Sequence, residues 1–297
     1  MDKKIGRSAI IIFIILAFIW GTSFILIKRG LTVFSPVQLG SLRIILTFLA
    51  LTPFVYNRFK NIKPRDWVIL SISGFIGSFF PAYLFAFAQE GINSSTAGIL
   101  NSLTPLFALL VGVLFFGFKA KWWNFIGIII TFIGTYGLLN SGDQGFGFSL
   151  KYGSYIILAA IGYGTQVNII KYHLHHIPSF TIVVLQFLII SIPASLVLFF
   201  STNFIDMISL DSDFLMGMLY IGILAVVATA LALILFYRLV KLVDPVFSAS
   251  VTYFIPAIAT LWGIFDGETI GINFFIWVTI ILIGVYIINT KKFKLPF

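Results

Sequence analysis

The chain has 297 residues, of which 60% are hydrophobic and only 10% charged, with a mean hydropathy of +1.08; about 25% charged is ordinary for a soluble domain, so a soluble globular class is excluded. The formal net charge of +9 reads as the loop bias of a membrane chain rather than as a nucleic-acid partner. With no cysteine, neither a disulfide framework nor a thiolate metal site is available.

A hydrocarbon core about 30 Å thick needs roughly 20 apolar residues per helix. Apolar length, punctuated by Gly, Pro and charge, predicts ten spans in chain order, at about 8–27, 36–56, 66–88, 95–117, 122–140, 151–171, 178–200, 213–237, 246–265 and 272–290. They leave no room for a soluble domain. The first run follows Lys3, Lys4 and Arg7, as in a signal peptide, but its length and the lack of a small-residue cleavage site mark it as a retained helix. With the N-terminus inside, cytoplasmic segments hold 15 of the 19 basic residues, and outer segments hold only Lys28, Arg29 and Lys151. That asymmetry predicts both termini in the cytoplasm, because a missed or invented span would scramble it.

Polar side chains gain nothing from facing lipid, so those inside spans should face the bundle or a wet cavity. The first span carries Trp20, Thr22 and Ser23, the second Arg43, the third Tyr83, and the fourth Asn101, Ser102 and Thr104. The sixth carries Tyr163, Thr165, Gln166 and Asn168, the seventh Gln186, and the ninth Ser250, Thr252 and Tyr253. Trp20 and Tyr163 each precede a Gly-Thr pair and sit too deep for interfacial anchoring, so they are candidate cavity walls; core packing is the plainer alternative. Pro105 and Pro256 should free the carbonyls of Asn101 and Thr252, four residues earlier, for a solute or a neighbouring hydroxyl.

Arg43 is the one basic residue well inside a span, at a cost of about 2.5–3.5 kcal/mol on insertion scales. No acid stands in the interior of a span, so Glu90, Glu268 or a carboxylate-bearing solute is its expected partner. The same lack of buried carboxylates argues against proton coupling and for movement down a solute gradient. His173, His175 and His176 have no nearby carboxylate or thiol companion in sequence, and read as interfacial rather than as a metal site.

Sliding the chain on itself by 143 residues aligns Gly21-Thr22 with Gly164-Thr165, Lys28 with Lys171, and Arg43 with Gln186. An offset near 151 aligns Asn93 with Asp244, Asn101 with Thr252, and Thr104-Pro105 with Ile255-Pro256. Residues 8–140 and 151–290 thus form two five-span repeats. Five is odd, so the second enters the membrane from the opposite side and the repeats are expected to be inverted.

The stretches "WGTSFILIK", "SPVQLGSLR", "SSTAGILNSLTPLFALLVGVLFFG" and "SASVTYFIPAIATLWGIFDGE" resemble the two EamA-type modules of the drug/metabolite transporter superfamily, over essentially the whole chain. The resemblance implies an all-α bundle of ten transmembrane helices with a central cavity and alternating access for small organic solutes. The first half departs from the pattern, with Gly117-Phe118 where the second keeps Gly267-Glu268. The expectation is a bacterial inner-membrane carrier for amino acids or related metabolites, exporting them, with multidrug or lipid-linked-sugar transport as the alternative. Its expected solute contacts are Trp20, Thr22, Ser23, Tyr83, Asn101, Tyr163, Gln166, Thr252 and Tyr253, with Arg43, Glu90 and Glu268 as gating or ion-pair residues. An enzyme would need converging acids, bases or metal ligands, and none of the usual motifs occurs. A channel would need pore-lining rings that ten spans supply poorly. No cofactor is implied, and a monomer is compatible with this reading.

Overall fold

Each apolar run must satisfy its own backbone polar groups, because lipid offers no hydrogen bonds, and helix is the local solution. The computed structural model describes residues 7–56, 58–60, 62–119, 121–140, 150–267 and 271–289; no strand occurs among them. Among the described residues, eight helical stretches are long and apolar enough to cross a membrane: Arg7–Gly30, Pro36–Phe54, Pro64–Ala88, Ser94–Phe115, Leu150–Tyr172, Ser179–Ser201, Ser212–Leu242 and Pro245–Phe265. Two further apolar helices, Trp122–Asn140 and Ile272–Asn289, take the fifth and tenth places and pack on each other. The order and approximate bounds match those expected from apolar length.

Helix starts follow local chemistry. Ser35 and Gln38 form a reciprocal capping box ahead of Pro36, while Asn93, Asp211 and Asp244 accept the backbone N–H groups of Thr96, Phe214 and Phe247 at 3.0, 2.7 and 3.0 Å. The fourth and ninth spans end at Gly117 and Gly267, with φ of 67° and 85°, the left-handed stop that glycine adopts without strain.

Four spans are interrupted, in matching places of the two halves. The third and eighth each contain a π turn, at Phe75–Phe79 and Val226–Leu231. The fourth is split into Ser94–Asn101 and Thr104–Phe115, and the ninth into Pro245–Ala249, a 3₁₀ turn at Ser250–Tyr253, and Ile255–Phe265. The expected proline kinks are therefore full breaks, each with a helix restarting one residue before proline, where a missing N–H costs nothing. At the first break the carbonyl of Asn101 accepts the Thr104 hydroxyl at 2.7 Å, so its own helix, rather than a solute or another span, satisfies it.

Packing repeats the same correspondence. The first span lies against the eighth and ninth, and the sixth lies against the third and fourth; the second faces the seventh, and the fourth faces the ninth. The outer surface is apolar, with Ile11, Phe18, Leu49, Val68, Leu196 and Phe265 exposed, as suits side chains solvated by lipid.

Candidate functional site

The first and sixth spans place their notches by helical periodicity. Residues three apart share a face, so Trp20 and Ser23 turn inward together, as do Tyr163 and Gln166. The intervening glycines serve another face. A Cβ on Gly21 would lie 2.5 Å from Cβ of Ile258, and one on Gly164 would lie 2.6 Å from the backbone nitrogen of Ala108. They allow close approach of the first span to the ninth and of the sixth to the fourth.

The inward faces meet a chamber between the halves. Its polar lining is Trp20, Ser23, Arg43, Ser78, Asn101, Thr104, Tyr163, Gln166, Thr229 and Thr252, and its apolar lining includes Phe24, Phe85, Phe187, Leu233 and Phe236. The space open to the centre of a water-sized sphere is about 60 Å³, several times the roughly 10–15 Å³ one water needs. Rings pack edge to face around it, with Trp20 and Phe236 centroids 4.9 Å apart and Phe24 and Phe85 5.7 Å apart.

The π turns form two poles of this chamber. A π turn disturbs the i→i−4 ladder and leaves carbonyls for other donors. At the eighth span, the Trp20 indole donates to the carbonyl of Ala228 at 3.1 Å, Thr47 donates to that of Ala225 at 3.1 Å, and Thr229 donates to that of Leu224 at 2.8 Å. Arg43 Nε then donates to Thr229 Oγ1 at 2.8 Å, and its guanidinium lies beside the Tyr163 hydroxyl. At the third span, Gln166 Nε2 donates to the Ser73 carbonyl and Ser78 Oγ at 3.1 and 3.3 Å, and Gln186 Nε2 donates to Ser73 Oγ at 2.9 Å. Tyr237 donates to Gln186 Oε1 at 2.8 Å.

Polar contacts tie the helix ends together on both sides of the chamber. Lys28 Nζ lies 2.6 Å from Asp266, which also pairs with Arg29, joining the first span to the ninth. At the other end, Lys171 donates to the carbonyls of Val240, Lys241 and Val243 at 3.1, 3.1 and 2.6 Å. Lys241 donates to the carbonyl of Ile177, and His176 meets Asp66 at 3.2 Å.

Of the residues singled out in the sequence, Trp20, Ser23, Arg43, Asn101, Thr104, Tyr163, Gln166 and Thr252 line the chamber. Thr22, Tyr83 and Tyr253 do not. Thr22 lies on the glycine's face, donates to the Phe18 carbonyl at 2.9 Å and accepts the Trp262 indole at 3.0 Å. Tyr83 packs on Gly40, with its hydroxyl 2.9 Å from Ser41 Oγ, and Tyr253 is buried with Ile99 and Ile281. The expected pairing of Arg43 with Glu90 is not made: Glu90 is exposed, whereas Arg43 is enclosed by Thr229 and Tyr163. Glu268 lies outside the described residues. Ser78 and Thr229, missed in the sequence, are repeat counterparts at the 151-residue offset; extending that alignment into the third and eighth spans would have exposed them.

Fold and site together define the class: a multi-pass membrane transporter with a polar, aromatic-walled chamber between two similar halves. The chain belongs to the EamA-like transporter family, whose model matches residues 7–140 and again 150–290. Among its relatives is the "Uncharacterized inner membrane transporter YedA" of Escherichia coli strain K12, 23% identical over 288 residues that cover 94% of this chain and 89% of that protein. The "Uncharacterized transporter YdfC" of Bacillus subtilis strain 168 is 27% identical over 147 residues, covering 48% of this chain and 46% of its own length. A solved structure titled "Crystal structure of protein" has the same fold, with a TM-score of 0.68 and 19% identity over 98% of this chain and 99% of its own.

Proposed function

We propose that this protein carries small organic solutes, amino acids or related metabolites, out of a bacterial cytoplasm by opening the central chamber alternately to the two membrane faces. Residues 8–140 and 151–290 act as inverted five-helix halves that rock about the chamber, with both termini in the cytoplasm. The observation that carries this reading is the matched pair of π turns and helix breaks, which face one chamber from opposite halves. Such interruptions cost backbone hydrogen bonds and are tolerated at membrane depth where they line a cavity or are covered by protein. Asn101, Ser23, Gln166 and Thr252 supply uncharged polar contacts, and Trp20 and Tyr163 wall the solute.

The walls also favour a second reading, multidrug efflux or lipid-linked-sugar transport, because Phe24, Phe85, Phe187 and Phe236 offer much apolar surface and few hydrogen bonds. Purified protein in liposomes loaded with amino acids, related acids or cationic dyes separates the two. Counterflow of amino acids or related acids supports the first reading, dye efflux alone supports the second, and no flux of any solute overturns both. Because the chain has no cysteine, a single thiol at exposed Tyr56 or exposed Leu210 reports its side of the membrane. Labelling of both from the same side would sink the inverted arrangement.

A further inference from the structure

Among the described residues, the lining of the chamber contains one formal charge, that of Arg43, and no aspartate or glutamate. The groups holding it are neutral. Nε is committed to Thr229 Oγ1, whose own proton goes to the Leu224 carbonyl, and the Tyr163 hydroxyl lies beside the guanidinium. A guanidinium has five N–H donors, so these contacts leave donors unspent. Arg43 is surrounded by protein yet keeps accessible surface, and that surface faces the chamber.

The repeat shows that the mechanical task needs no charge. At the position equivalent to Arg43 the second half has Gln186, which ties the seventh span to the bulged third span through Ser73 and Tyr237, as Arg43 ties the second span to the bulged eighth. A neutral amide suffices there, so the charge at Arg43 has a different use. An enclosed cation without a counter-ion is stabilised when a bound anion completes it. The remaining walls select what the anion is attached to. Trp20, Phe24, Phe85 and Phe236 present rings, and no lining carboxylate is available to neutralise an ammonium group.

We infer that Arg43, positioned by Thr229 and Tyr163, binds the carboxylate of the transported solute, and that the preferred solute is a monocarboxylate anion with an apolar or aromatic body rather than a zwitterion, amide or amine. This rests on the carrier reading above and, within it, favours the related carboxylic acids over the zwitterionic amino acids themselves.

Four probes with one phenyl body test it: 3-phenylpropionate, phenylalanine, 3-phenylpropanamide and phenethylamine. Each is measured by ligand-induced thermal stabilisation of the purified protein and by counterflow in liposomes. The acid is expected to bind most tightly. Arg43→Gln is expected to lower affinity for the acid by about 30-fold or more, as truncation of a buried charge-pair partner does, while leaving the amide within about threefold. Arg43→Lys should restore part of the preference. Gln186 shows that a glutamine serves at the equivalent position of the second half, and the ligand-free melting temperature of each variant checks that it folds. Equal affinity of the native protein for acid and amide, or an undiminished acid preference in Arg43→Gln, overturns the inference. Flux of the amide or amine as fast as the acid overturns it while leaving the carrier reading standing; no binding and no flux of any solute overturns both.

Discussion

The two halves share one scaffold and differ in chemistry. Both bulge their third helix, break their fourth, and send a side chain from their second helix onto the opposite bulge. In the first half that side chain is Arg43, held by the hydroxyl of Thr229 and flanked by Tyr163; in the second it is Gln186, held by Ser73 and Tyr237. The bulge carbonyl of Ala228 accepts an indole N–H from Trp20, whereas the carbonyl of Ser73 accepts an amide N–H from Gln166. Architecture tolerates these exchanges because any donor of suitable reach satisfies a freed carbonyl. A duplicated fold thereby acquires a charged pole and a neutral pole in one chamber.

The largest expected effect is shared by the two notch glycines. In Gly164→Ala the new methyl meets backbone of the fourth span, and in Gly21→Ala it meets Cβ of Ile258, which its backbone fixes and no rotamer change can move. Loss of about 3 kcal/mol is expected for each, read as unfolding free energy in mixed detergent–SDS micelles. Markedly unequal losses would show that one helix crossing is more deformable than the other. Next, Tyr237→Phe leaves buried Gln186 Oε1 without its donor and should cost about 2 kcal/mol. A negligible change there would mean that the neutral pole relaxes more freely than its burial implies.

Trp20→Phe keeps a ring beside Phe236 but withdraws the indole donor from Ala228, with an expected loss of about 1 kcal/mol in the same unfolding assay. Gln166→Leu, the parallel change at the other bulge, should cost more, because Gln166 donates to two partners there. The smallest effect belongs to the helix ends. Asp266→Asn removes the pairing with Lys28 and Arg29, whose side chains are 33% and 51% exposed while that of Asp266 is 9% exposed, and should shift stability by less than about 1 kcal/mol, falling in high salt. A larger, salt-independent loss would mean that this contact acts as a buried latch.

Much of this was legible in the chain. Span number and approximate bounds follow from apolar length, and the alignment of the notches from the repeat. Eight of the residues selected for polarity inside spans line the chamber, because a polar group at that depth gains nothing from facing lipid. Thr22 and Tyr83 lie off the chamber for a common reason: each finds a partner in a helix carbonyl or a neighbouring hydroxyl, an option that polarity alone does not reveal. The π turns left no trace in composition, since Phe75–Phe79 and Val226–Leu231 are as apolar as the helices around them.

By itself, the amino-acid sequence determined that the chain lives in lipid as ten helices in two related sets, since burial of apolar length and local satisfaction of the backbone are short-range requirements. Only the tertiary structure decided which face of each helix turns inward, where the ladders bulge, and that Arg43 meets hydroxyls instead of a carboxylate. Those outcomes depend on contacts between residues 186 and 208 positions apart, whose geometry emerges when helices from both halves pack together.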